Sequence, residues 1–144
     1  MTLQISTRQF WGMFAIAVVG LMDAVYLTVV HYTNAIPPCY VGSCETVLSS
    51  PYASILGVPV AVWGIVYYGT VITGLLWYQN TLSNRILQLT LLATCGGLLS
   101  SLYFFSLMAW AIQAWCQYCL LSGAVSLVLF ILSVFVTLQS RHAA

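Results

Sequence analysis

Residues 10–30 read FWGMFAIAVVGLMDAVYLTVV, a run in which Asp23 is the only charged residue. A helix needs about 20 apolar residues to cross the hydrocarbon core of a bilayer, and this run supplies them. Three further apolar stretches follow, over 58–78, 86–112 and 116–138. Of 144 residues, 62% are hydrophobic and 3% are charged, whereas soluble domains carry about a quarter charged residues. Such a chain cannot clothe a water-soluble globule, so its main solvent is lipid. The net charge of +1, with no basic run, gives no handle for nucleic acid. The expected architecture is an all-α integral membrane protein: one transmembrane domain over 1–144, built as a four-transmembrane-helix bundle. A cleaved signal peptide is the competing reading of the first run. That run is longer than a signal's apolar region, and Met22-Asp23-Ala24 makes a poor cleavage site.

The three basic residues fix an orientation. Arg8 precedes the first span, Arg85 lies between the second and third, and Arg141 follows the fourth. With an even number of spans these segments share one side, which the positive-inside rule makes cytoplasmic. Both termini are then cytoplasmic and the membrane is a cell (inner) membrane. The segments 32–56 and 113–115 face outward, toward the periplasm in a bacterial envelope. The second of these is so short that the third and fourth helices must be antiparallel neighbours. In the first, Ser49-Ser50-Pro51 offers a capping hydroxyl followed by a helix-initiating proline. Tyr52, Ile55 and Leu56 would then form the apolar face of a short interfacial helix, closed by Gly57 and Pro59.

Chemistry is concentrated in the cysteines. Cys39 and Cys44 lie in the long outer loop, and Cys116 and Cys119 open the fourth span at its outer end. The arginines thus place all four on the side where disulfides form and persist. Cys116-Gln117-Tyr118-Cys119 sets two thiols one turn apart at a helix start, where free amides and the dipole favour thiolate, the species that attacks disulfides. Cys39 and Cys44, flanked by Pro37, Pro38 and Gly42, read as mobile and accessible. One pair for aqueous partners and one at the membrane edge would make a relay, with Cys116 the more exposed of its pair. Other readings of the same residues are a non-enzymatic membrane protein with two structural disulfides, or a four-thiolate zinc site. A c-type haem site would need histidine after Cys119, where the chain has Leu120.

Several other residues invite a role. Asp23 within the first span is either functional or a hydrogen-bonded tie between helices. Cys95 reads as a buried small residue, and Gly96, Gly97, Ser100 and Ser101 as a close helix contact. Met108 and Ile112, one turn apart at the outer end of the third span, are candidates to line a pocket. His31 reads as an interfacial residue.

The run Cys39-Tyr-Val-Gly-Ser-Cys44-Glu45-Thr-Val-Leu-Ser49-Ser50-Pro51-Tyr52, with Gly57-Val-Pro59, Trp63-Gly64 and the late Cys116-x-x-Cys119, resembles the vitamin K epoxide reductase family. Asp23-Ala-Val-Tyr26-Leu27 also looks like its bacterial and archaeal members, and the likeness covers essentially the whole chain. The resemblance implies a bundle around a quinone (menaquinone or ubiquinone). It implies that Cys39 exchanges with a thioredoxin-fold thiol oxidase, that Cys44 attacks Cys116, and that Cys119 faces the quinone. It also puts Ser50 near the quinone and involves no metal. Many bacterial members carry a fused thioredoxin-like domain, whereas this sequence stops soon after Arg141, so the partner is expected to be separate. Gly123 and Val60 stand where the animal enzymes have a tyrosine and an asparagine, which favours quinone reduction over epoxide reduction. Another family of membrane disulfide oxidants puts Cys-x-x-Cys in the first outer loop, the reverse of the order here.

The arginine-derived orientation is testable by labelling. In intact cells treated with reductant, a membrane-impermeant thiol reagent should modify Cys39 or Cys44. Labelling that requires opening the membrane would invert the topology.

Overall fold

In the computed structural model, residues 4–142 are described, the side chain of Arg141 excepted; residues 1–3, 143 and 144 of the expected domain lie outside the described residues. Four helices are long and apolar enough to cross a membrane. The first, α1, is Thr7–Thr33, opened by a reciprocal cap. The Ser6 hydroxyl accepts from the Gln9 amide at 3.3 Å, and the Gln9 side-chain oxygen accepts from the Ser6 amide at 3.0 Å. It ends at Asn34, whose left-handed backbone (φ 50°) closes the last turn. A five-residue helix α2, Cys44–Leu48, sits in the long loop that follows α1. The remaining long helices are α3 (Val60–Thr81), α4 (Asn84–Ser106) and α5 (Gln117–His142). Leu82 and Ser83 alone separate α3 from α4.

α4 does not stop at Ser106. It continues through Leu107–Ile112 as a wider π-helical segment and breaks at Gln113, which is left-handed at φ 56°. The continuous rod Asn84–Ile112 spans the third apolar stretch. Such π segments recur at functional sites because they re-aim side chains within an otherwise regular helix. α1 packs against α3 and α5, and α4 packs against the same two, giving a closed four-helix arrangement.

Small residues set the closeness of these contacts. In lipid, association depends on van der Waals fit and interhelical hydrogen bonds, since burial of apolar surface contributes little. The Tyr68 ring on α3 lies against Gly20 of α1, with no room for a β-carbon there. Its hydroxyl then reaches α5, donating to the Ser122 carbonyl at 2.9 Å. One buried tyrosine therefore links three helices. Of the expected small-residue contact on α4, Gly97 meets Tyr67 of α3, and Ser101 bonds back to the Gly97 carbonyl at 2.9 Å. Gly96 and Ser100 are exposed on the outer surface of the bundle.

The long loop departs from expectation in its secondary structure. It has its short helix, but at Cys44–Leu48 and not after Pro51. Pro51–Ala53 makes a single 3-10 turn, followed by a hairpin of β1 (Ser54–Ile55) and β2 (Val58–Pro59). The reason is local: Leu56 (φ 54°) and Gly57 (φ 78°) both take left-handed backbone, as in a two-residue hairpin turn, and no helix passes through such a pair. Tyr52, Ile55 and Leu56 are accordingly exposed and form no buried face.

Gly20→Leu should lower bundle stability by about 1–3 kcal/mol, the usual cost of overpacking a filled interior. Gly96→Leu, where a β-carbon meets nothing within 4 Å, should be neutral. Thermal unfolding of the two variants in detergent is the comparison to make.

Candidate functional site

The site forms where the long loop between α1 and α3 meets the α4–α5 corner. The link from Gln113 to Cys116 is stretched, so its backbone groups are free to pair outside a helix. Gly42 forms an isolated antiparallel bridge with Cys116, and the Ser43 amide donates to the Trp115 carbonyl at 2.8 Å. Gly42 takes φ 87°, and a side chain there would run into the Trp115 carbonyl. Only glycine allows so close a crossing.

This pairing brings the two cysteine motifs together. Cys44, at the first turn of α2, and Cys116, just ahead of α5, are both fully buried and share one cluster with Val47 and Met108. Cys39 and Cys119 pack against that cluster, each partly buried. Cys39 and Cys44 are joined by a disulfide with their Cα atoms 6.0 Å apart. Cys116 and Cys119 are free thiols. Two expectations are corrected here. The loop pair is docked, with Cys44 wholly enclosed; and Cys116 is less exposed than Cys119, because the loop covers the helix start.

Cys116 occupies the capping position of α5, its carbonyl accepting from the Leu120 amide at 2.9 Å. Its thiol is lowered from 9.0 to about 7. A hydrogen bond from the Cys119 side chain is the main cause, helped by the Cys119 and Tyr118 amides. Burial and the nearby Asp23 charge oppose it. The motif thus divides its labour: Cys116 carries the thiolate and Cys119 donates to it. A zinc site would need all four sulfurs as thiolates, whereas two are here bonded to each other.

Met108 and Ile112 both lie on the π segment, Met108 buried within the cysteine cluster and Ile112 packed against it. Ser50 adjoins the cluster through Val47. Its hydroxyl donates to the Val47 carbonyl at 2.7 Å and makes no capping bond to the turn it precedes. Asp23 is 8% exposed and its Oδ2 has no hydrogen-bond partner among the described residues, so this atom is not the expected tie between helices. Cys95 stands on α4 outside the cysteine cluster, and His31 stacks edge-on with Tyr32 at the outer end of α1.

Sequence reasoning missed Gln117 and Tyr118, the residues between the helical cysteines. The Gln117 side-chain oxygen accepts from the Tyr40 and Val41 amides at 3.1 and 3.2 Å. Its nitrogen donates to the Pro38 carbonyl at 3.3 Å, and the Tyr118 hydroxyl donates to the same carbonyl at 2.9 Å. A polar side chain at the mouth of an otherwise apolar helix was the available signal.

Comparison with known proteins agrees with this geometry. The model of the Vitamin K epoxide reductase family matches residues 11–134. The chain is also 34% identical over 123 residues to the thiol-disulfide oxidoreductase LTO1 of Arabidopsis thaliana, an alignment covering 79% of this chain and 33% of that protein. It therefore spans about a third of the length of this relative. Cysteine spacing, bundle and family match converge: the chain belongs to the vitamin K epoxide reductase family.

Proposed function

We propose that this protein is a membrane thiol oxidoreductase that reoxidises a thioredoxin-fold thiol oxidase on the outer side of the cell membrane and passes the electrons to a membrane quinone, thereby supporting disulfide formation. The observation that carries the reading is the shared cluster of Cys44 and Cys116, with the Cys119 thiol hydrogen-bonded to Cys116. The named activity of the Arabidopsis relative, a thiol-disulfide oxidoreductase, supports the same class.

The chain's part begins when a partner thiolate attacks the Cys39 sulfur and expels Cys44. The partner's second thiolate resolves that mixed disulfide, so the partner leaves oxidised and Cys39 is freed as a thiol. Cys44 then attacks Cys116 of an oxidised Cys116–Cys119 pair and expels Cys119. Cys39 attacks the Cys44 sulfur, restoring the loop bridge and leaving Cys116 and Cys119 as a dithiol that holds the two electrons. The bridged loop pair and free helical pair of the structure correspond to this stage.

Ubiquinone or menaquinone, when bound, supplies the two-electron, two-proton sink that lets the Cys116–Cys119 bond re-form. The residues present suit such a group. Met108 and Ile112 give an apolar wall beside the helical cysteines, and the buried Asp23 Oδ2 lacks a partner among the described residues. Ser50 can donate to a bound carbonyl only by giving up its bond to Val47. The Asp23 carboxyl acts electrostatically on the Cys116 thiol.

Single cysteine variants test the order of events. Cys39→Ser should accumulate a Cys44–Cys116 bridge, and Cys44→Ser should hold Cys39 in a mixed disulfide with the partner. Cys119→Ser should abolish quinone reduction, while Cys95→Ala should do none of these things. If non-reducing mass spectrometry finds only Cys39–Cys44 and Cys116–Cys119 bridges, inert to reduced partner and to quinone, the cysteines are structural.

The thiolate assignment makes its own prediction. A group whose pKa falls from 9.0 to about 7 is half ionised near neutrality, against about 1% for an ordinary thiol. The ultraviolet thiolate absorbance lost in Cys116→Ser should therefore titrate with a midpoint near 7. In Cys119→Ala the donor is gone and the midpoint should move upward; an unmoved midpoint would refute the hydrogen bond as its cause.

A further inference from the structure

The side chains of the two residues between the helical cysteines have no part in the sulfur chemistry above, yet they make most of the side-chain hydrogen bonds that fasten the loop. We propose that Gln117, assisted by Tyr118, is the positioning residue of the internal relay: its amide holds the backbone around Cys39 so that Cys44 stays seated against Cys116.

The geometry asks for an amide. Gln117 Oε1 receives two successive backbone N–H groups, those of Tyr40 and Val41, and Nε2 gives a hydrogen to the Pro38 carbonyl. These three groups bracket Cys39 on both sides. Glutamine is the only side chain of this length with an acceptor at one corner of its head and donors at the other. A glutamate would keep the first two bonds but set a second oxygen against the Pro38 carbonyl, and a leucine of similar size would keep none.

Tyr118 adds a donor to the same Pro38 carbonyl, and its ring is braced on Tyr26 of α1, with centroids 5.2 Å apart. The loop is therefore referenced to two transmembrane helices. One residue beyond, the Gly42–Cys116 bridge and the Ser43-to-Trp115 bond continue the same seam. Gln117 grips the segment before Gly42, and the seam grips the segment after it. Between them stand Tyr40 and Val41, 89% and 64% exposed, so the clamp fixes the backbone while leaving the outer face of the loop open to a partner.

The physical consequence follows from thiol exchange. Attack on a disulfide needs the thiolate close to the target sulfur, and a tethered loop gains its rate from the fraction of time it spends there. Once the Cys39–Cys44 bond is broken, the bridge no longer restrains the loop. The Gln117 bonds then hold the segment around Cys39, with the Gly42–Cys116 seam holding the segment after it, at the step when Cys44 must find Cys116.

This inference rests on the relay reading, and the test separates the two. Full-length protein with both cysteine pairs oxidised is given a limiting amount of dithiothreitol, and acid-quenched samples are mapped by mass spectrometry over time. No quinone is required. In the wild type the reducing equivalents should enter Cys39 and Cys44 and migrate to Cys116 and Cys119. In Gln117→Leu the entry step should be unchanged or faster, while migration slows by about tenfold or more. Gln117→Glu, which retains two of the three bonds, should slow it less. A merely structural role would lower melting and slow the entry step together with migration, and that pattern overturns the proposal. Migration at the wild-type rate in Gln117→Leu also overturns it, with the relay left standing. Absence of migration in the wild type removes the relay reading, and the role of Gln117 with it.

Discussion

The Ser43 amide and the Trp115 carbonyl meet at 2.8 Å, one residue from the bridge between Gly42 and Cys116. Everything specific about the site hangs on that short piece of antiparallel pairing. It can form only because the α4–α5 corner is too short to bury its own backbone and the loop offers a glycine where a side chain would collide. Without it, Cys44 and Cys116, seventy-odd residues apart in the chain, would have no reason to share one buried cluster. The bundle beneath supplies a rigid frame, and the seam converts two cysteine motifs into a single centre.

The frame itself was open to reading from composition. Lipid satisfies no backbone hydrogen bond, so long uncharged stretches must become helices, and four such stretches become a bundle. The end of the third span at Ile112 and the tight corner after it follow from the same logic. The loop was harder, because five-residue helices and two-residue hairpins are decided by a few dihedral angles and by docking. Ser49-Ser50-Pro51 looked like a helix start, and Ser50 is indeed the residue before a turn. The turn failed to propagate because Leu56 and Gly57 reverse the chain. Gly57 was a visible signal for a hairpin; the left-handed Leu56 was not, since nothing in a leucine announces positive φ.

The cysteines were legible by position but not by environment. A helix-start cysteine ordinarily faces water, and Cys116 does not, because a loop from elsewhere in the chain covers it. The π-helical segment that carries Met108 into the cysteine cluster was likewise invisible, as no residue in Leu107–Ile112 announces it. Gln117 and Tyr118 illustrate the general case. Their hydrogen bonds are to backbone atoms, and backbone atoms have no sequence signature.

Enclosure of Cys44 and Cys116, each with no exposed surface, has a consequence for selectivity. Small thiols dissolved in the surrounding water cannot reach either of these two sulfurs, whereas Cys39 and Cys119 are each partly exposed. The two enclosed sulfurs are open to one another and closed to anything diffusing past. A wire whose middle is insulated cannot be short-circuited along its length, so the choice of exchange partner is made at its ends. Protection of this sort comes from shape alone, and would persist whatever the reduction potentials of the two pairs.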